Sequence, residues 1–205
     1  MNTFLAAGGT KELKKKGINF EDKNSMSDYY MQSRYKAFTT CCHFIKKYPD
    51  IKSCLDIATS SGHFVYVANE NNIDCHGFDL EFDETNNQIF ESKFHKKALF
   101  RHDLNNLLNI KNNYDIYTNF HLTHIFTYQS FLYLLKILSN KTKYAYLHIN
   151  NNIIENIKKL PFITPIEVID NGVHGSFLFL KFKNEITNIP KMIFYRIGMK
   201  IFIKK

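Results

Sequence analysis

The strongest constraint in this chain is an alternation: between residues 52 and 159, short β-rich runs take turns with helical segments. Residues 52–57, 74–80, 98–103, 114–120 and 144–150 read as strands, each a short apolar run bounded by turn residues. Residues 62–72, 85–96, 126–140 and 151–159 read as helices, with "FTYQSFLYLLKILSN" carrying the clearest apolar stripe. A strand, a crossover helix and another strand form a right-handed parallel unit. Repeating that unit builds an open sheet. After residue 159 the pattern changes. "ITPIEVID" (163–170), Asn171-Gly172 and "GSFLFLKFK" (175–183) give a hairpin signal with no helix between. The expected fold is α/β: a doubly wound, seven-stranded, mostly parallel sheet with an antiparallel C-terminal hairpin strand and helices on both faces.

No internal repeat and no second domain interrupts this order, and 205 residues suffice for one buried core. Residues 1–49 read as a loose leader and a helix, 50–183 as the core domain and 184–205 as a basic apolar tail. The helix spans Ser27 to about Tyr48, capped by Ser25 or Ser27 and ended by Pro49 and Asp50. Tyr30, Tyr35, Phe38, Cys42 and Ile45 recur on it at helical spacing. It either packs on the core or closes as a lid, where Tyr29, Tyr30, Arg34 and Tyr35 offer stacking faces and a guanidinium to an anionic substrate. The tail "IPKMIFYRIGMKIFIKK" carries Lys191, Arg196, Lys200, Lys204 and Lys205. It is expected to pack on the domain; an anionic membrane surface or a second chain are the other surfaces it suits.

With 44% hydrophobic and 22% charged residues, the composition excludes a disordered chain. The net charge of +8 suits RNA, phosphorylated sugars or anionic lipid, yet a Lys-rich codon bias yields the same charge. The same bias accounts for the Asn pairs. Cys41, Cys42, Cys54 and Cys75 form no CxxC pair and have no His at zinc-finger spacing. They read as reduced thiols in a cytoplasmic protein, with no metal expected. The N-terminus is too polar for a signal peptide, and no run approaches about 20 apolar residues, the length of a membrane span.

In a doubly wound sheet, ligands bind beyond the carboxyl ends of the strands. The stretch "SCLDIATSSGHF" (53–64) runs from a strand into an all-small turn, Ala58, Thr59, Ser60, Ser61 and Gly62. Small residues let a backbone approach a ligand, and the next helix presents unpaired N–H groups. The second strand ends in Asp79, where a carboxylate can accept bonds from both hydroxyls of a ribose. The third ends in Asp103, within reach of an adenine amino group in such folds. Any one Asp at a strand end also fits a helix or turn cap. Asp56, Asp79 and Asp103 on three successive strands point jointly to a nucleotide crevice.

These stretches resemble the class I S-adenosylmethionine-dependent methyltransferases, a Rossmann-like family. "LDIATSSGHF" is similar to their first motif, Leu-Asp-x-Gly-x-Gly-x-Gly. "HGFDLE" resembles the acidic second-strand motif, "FRHDLNNL" the third, and "YDIYTNFHLTHIF" the fourth strand with its trailing His. The likeness covers about residues 50–183 and includes the antiparallel last strand. It implies S-adenosylmethionine as cofactor. Asp56, Ala58, Thr59, Ser60 and Gly62 would then line the methionine moiety. Asp79 would hold the ribose with Leu80 beside it, Asp103 and Leu104 would border the adenine, and Asn119 and Phe120 would sit beside the methyl group. The departures are Ala58 and Ser60, which stand where the family has glycine. Ala is tolerated there unless the backbone needs a positive φ, and Ser must fit its hydroxyl beside the ligand. A nicotinamide enzyme needs those glycines for pyrophosphate approach, and the Gly-Lys-Ser/Thr of a P-loop is missing.

Methyl transfer from a sulfonium is a direct displacement, so alignment is the main task. An alcohol acceptor gains from a general base, and His121 and His124, after the fourth strand, are the candidates, ahead of His148. A His in that place also serves as an ordinary hydrogen-bonded or surface residue. The motifs of base-amino and pyrimidine-carbon methylation are absent. The expected function is O-methylation of a sugar or similar small polar metabolite. The alternatives are an RNA methyltransferase recruited by basic surface and a catalytically inactive methyltransferase-like binding protein.

Overall fold

The computed structural model describes residues 29–80, 82, 84–111, 113–120, 126–170, 175–183, 193–197 and 200–204. Its strands are β1 (Ser53–Ile57), β2 (Asp74–Asp79), β3 (Leu99–Arg101), β4 (Ile116–Asn119), β5 (Tyr144–Ile149), β6 (Ile163–Asp170) and β7 (Ser176–Phe182). They form one sheet in the order β3-β2-β1-β4-β5-β7-β6. The pairs β1–β2, β2–β3 and β4–β5 are parallel, while β7 runs antiparallel to both β5 and β6. The helices are α1 (Tyr29–Lys47), α2 (His63–Glu70), α3 (Thr85–Phe94), α4 (Tyr128–Ser139) and α5 (Ile154–Lys158). This is the mostly parallel, seven-stranded sheet with antiparallel last strand that the alternation predicts. Between β3 and β4 the chain adds a 3-10 helix, Leu104–Asn109, which periodicity does not announce. The Asn171-Gly172 turn lies outside the described residues.

The chain forms two compact units, Met1–Arg101 and His102–Lys205. In the first, α1 buries Ala37, Phe38, Cys41, Cys42, Phe44 and Ile45, a single face at helical spacing. Phe38 meets Phe64 of α2 with ring centroids 5.7 Å apart. The C-terminal half of α1 is therefore a packing helix. Tyr35 is half-buried, and the side chains of Tyr29, Tyr30 and Arg34 lie outside the described residues. In α2, His63 through Ala68 are all buried, as expected of a helix covered all round.

Gly77, in β2, lets α2 come this close. A Cβ built on it would stand 2.7 Å from both Val65 Cγ2 and Thr59 Oγ1, so no side chain fits without displacing both. A second adjustment closes the sheet at its β3 edge. Leu99 N–H donates to Asn87 Oδ1 at 2.9 Å, and Asn87 Nδ2 donates to Leu99 O at 2.9 Å. The Asn87 amide thus acts as a one-residue strand partner for an edge that would otherwise leave its backbone bonds unmade. Its neighbour Asn86 donates from Nδ2 to Ser61 O at 3.1 Å. Codon bias is therefore a wrong account of Asn86 and Asn87: both are buried and each holds backbone groups that water does not reach.

The four cysteines are free and buried, Cys54 and Cys75 as register partners across β1 and β2. Desolvation pushes the Cys41 and Cys75 thiols well up, and Cys42 from its ordinary 9.0 to about 12. An acid held neutral in the fold stabilises it below the unfolded value. That contribution is lost as pH rises from 9.0 toward about 12.

In the second unit α4 starts at Thr127, whose hydroxyl accepts the Ser130 N–H at 3.2 Å. It buries Phe131, Leu134, Leu135, Ile137 and Leu138. All six residues of β5 are buried. The edge strand β6 carries Pro165, which lacks an N–H, and a register shift between Pro165 and Glu167. The tail forms a hairpin of its own, β8 (Ile193–Ile197) with β9 (Lys200–Lys204), a secondary structure that the sequence reading did not assign to it.

Two outcomes follow from the first unit. Gly77→Ala is expected to lose about 1–3 kcal/mol by overpacking, read as a lower urea midpoint at constant slope. A thiol reagent at pH 8 should leave all four cysteines of the native protein unmodified and label four once it is unfolded; fast native labelling would contradict their burial.

Candidate functional site

The loop between β1 and α2 departs from ordinary backbone at three places. Ala58 has φ 54°, Ser60 φ 56° and Gly62 φ 84°, whereas Thr59 and Ser61 between them do not enter the positive region. The left-handed residues fall on the three positions where the resembled motif has glycine. The condition under which Ala58 would be costly is thus met. Each left-handed non-glycine costs about 1–2 kcal/mol relative to its right-handed alternative.

Those N–H groups have partners. Thr59 donates to Phe78 O at 2.9 Å, prolonging the β1–β2 ladder by one residue. Ser60 donates to Asp79 Oδ2 at 2.9 Å, and Leu80 donates to Asp79 Oδ1 at 2.7 Å. Gly62 donates to Thr59 O at 3.1 Å and then opens α2, accepting from Tyr66 N–H at 2.9 Å. The Thr59 side chain is buried over Gly77, and its Oγ1 makes no hydrogen bond among the described residues. A Cβ on Gly62 would meet the Leu99 side chain at 2.8 Å, so both conformation and space reserve this position for glycine.

The first unit therefore joins three expected features: the small loop, its glycine and Asp79. Asp79 is half-buried, and Leu80 beside it is 43% exposed, an apolar side chain left facing water. A carboxylate next to an exposed apolar surface suits a nucleoside, with a polar sugar and a flat base. Asp56 is 4% exposed in β1, opposite Gly77 in the strand register, and its charge helps hold the Cys41 thiol neutral. Sequence reasoning gave no role to Gly77 or Asn86, although a glycine inside a strand signals a close approach.

The second unit holds the remaining candidates. Asp103 and Leu104 are half-buried at the start of the 3-10 helix. Asn119 ends β4 and is buried, and Phe120 packs on Tyr146 at 5.8 Å and Phe177 at 5.6 Å. His148 is 2% exposed with its ring 4.8 Å from that of Phe177. The candidate bases His121 and His124 lie outside the described residues. Among the described residues no group of three or more His, Cys, Asp or Glu is arranged to hold a metal ion, and no helix is long and apolar enough to cross a membrane.

Gly62→Ala is expected to cost about 2–4 kcal/mol, the sum of left-handed strain and collision with Leu99. Urea unfolding of the variant measures it, and Leu99→Ala in the same chain should recover the collision part alone.

No family model and no curated protein matches the sequence. Solved structures do. The magnesium protoporphyrin IX methyltransferase ChlM from Synechocystis PCC 6803, solved with bound SAM, superposes with a TM-score of 0.61 at 10% identity, covering 89% of this chain and 90% of that one. The 16S rRNA methylase ArmA gives 0.54 at 14% identity, with 89% and 98% covered. The mitomycin 7-O-methyltransferase MmcR gives 0.53 at 10% identity over 82% of this chain, which spans only 62% of that protein's length. At such identities the likeness concerns the fold: the chain has the fold of the S-adenosylmethionine-dependent methyltransferases.

Proposed function

We propose that this protein is an S-adenosylmethionine-dependent methyltransferase acting on a small polar acceptor, a sugar-like metabolite methylated on oxygen. One observation carries the reading: the loop keeps left-handed backbone at 58, 60 and 62 although only Gly62 is a glycine. Left-handed backbone at non-glycine residues is strain that clusters at ligand-binding sites, and here it falls on two positions of one loop. The partners of the loop N–H groups separate this reading from a dinucleotide site. Thr59, Ser60 and Gly62 donate to Phe78 O, Asp79 and Thr59 O, so a pyrophosphate would have to displace these bonds and meet a carboxylate. An adenosyl group linked to an amino acid makes no such demand.

When bound, S-adenosylmethionine supplies a methyl carbon on a positively charged sulfur. In this reading Asp79 accepts the ribose hydroxyls, Leu80 lies against the base, and the backbone of Ala58, Thr59, Ser60 and Gly62, backed by Asp56, shapes the space for the amino-acid part. In the second unit, Asp103, Leu104, Asn119 and Phe120 are the cofactor candidates that the family resemblance names. His121 or His124 is the candidate base for the acceptor proton, and Tyr29, Tyr30, Arg34 and Tyr35 remain candidate acceptor contacts from sequence. ChlM and MmcR, methyltransferases by name, support the class, and MmcR's 7-O-methyltransferase name fits oxygen as the target atom. The net charge of +8 and the likeness to ArmA favour RNA as the second reading of the acceptor.

Calorimetry with S-adenosylhomocysteine should show saturable binding, weakened about tenfold or more by Asp79→Ala through loss of charge-assisted bonds. No heat at about millimolar ligand would defeat the reading. Under low salt, a retarded RNA band that is released as salt rises would move the acceptor from metabolite to RNA.

A further inference from the structure

We infer that Asp79 has a second task, which rests on the cofactor reading above: it is the positioning residue that holds a glycine-poor loop in the shape a glycine-rich loop adopts unaided. Three observations in the first unit converge. The backbone at Ala58 and Ser60 is left-handed, with φ 54° and 56°. The N–H of Ser60, the second of these residues, donates to Asp79 Oδ2 at 2.9 Å. Asp79 is itself oriented, because its other oxygen accepts the Leu80 N–H at 2.7 Å.

The geometry selects a carboxylate for this task. Two N–H groups, one from the loop and one from the residue after the strand, must be met by one side chain with an acceptor at each end. A planar carboxylate offers that, whereas a carboxamide offers one acceptor and one donor. The loop is held from both flanks. Thr59 N–H reaches Phe78 O at 2.9 Å, and Asn86 Nδ2 reaches Ser61 O at 3.1 Å. Ser60 lies between these anchors and gives its N–H to Asp79. With glycine at 58 and 60 the left-handed conformation would carry no side-chain strain, and the clamp would matter less. The inference thus separates two consequences of losing Asp79: a lost ligand contact, common to any background, and a lost loop shape, present only while Ala58 and Ser60 remain.

A mutant cycle distinguishes them. S-adenosylhomocysteine affinity and Ser60 amide exchange are measured for the wild-type chain, Asp79→Ala, the pair Ala58→Gly with Ser60→Gly, and the combination. Without ligand, Asp79→Ala should speed exchange of the Ser60 amide about tenfold relative to that of Thr59, whose partner Phe78 O is untouched. The affinity lost on Asp79→Ala should be about tenfold greater in the wild-type background than in the glycine background. Equal losses in both backgrounds, or an unchanged Ser60 exchange rate, would overturn the inference and leave Asp79 a ligand contact only. Should Asp79→Ala fail to fold, Asp79→Asn, with its single acceptor, runs the same cycle with a smaller difference. A wild-type chain that binds no S-adenosylhomocysteine yet shows the exchange effect removes the methyltransferase reading and supports the clamp.

Discussion

The hydrogen bond from Ser60 N–H to Asp79 Oδ2 is the contact on which the first unit's functional end depends. It joins the loop after β1 to the last residue of β2, next to the Thr59 N–H bond to Phe78 O. A bond to a carboxylate contributes about 1.5–3 kcal/mol, and two left-handed non-glycines cost about 1–2 kcal/mol each. The two magnitudes nearly cancel. The loop is therefore shaped by a balance, and the surrounding packing decides it: Thr59 seated over Gly77, Asn86 holding Ser61 O and Gly62 pressed against Leu99.

That balance suits the chemistry proposed for the fold. Displacement at a sulfonium methyl asks a protein to hold two reactants in line, and only weakly for charge stabilisation. A loop whose N–H groups are committed to its own domain can shape a space without presenting an anion site. The carboxylate that holds the loop is the same one expected to meet a ribose, so loop order and sugar recognition share one side chain.

The order of elements was legible because the apolar spacing of each segment admits one kind of structure. The apolar stripe of α4 and the two apolar runs of β6 and β7 flanking a turn are examples. Element ends were less so: β3 is three residues, not six, because its partner β2 ends at Asp79, opposite Arg101, and the Asn87 amide that covers its outer edge is a contact with no local signature. Asp79 was legible as a candidate from its place at the end of a strand, but its bond to Ser60 was not, since nineteen residues separate them. The tail was assigned no element from sequence; its pairing as β8 and β9 comes from cross-strand register.

Taken alone, the sequence determined the α/β order, the antiparallel close, the small-residue turn and the acid that ends β2, because helix and strand periodicities and turn chemistry act over neighbouring residues; Asp103 lies two residues past β3. Only the tertiary structure decided what the missing glycines at 58 and 60 mean. Both positions remain left-handed, and a φ value depends on what the loop must reach as well as on which residue sits there. The same holds for Gly77 and for Asn86 and Asn87. Their significance lies in the atoms that approach them from other elements, and no spacing along the chain records that approach.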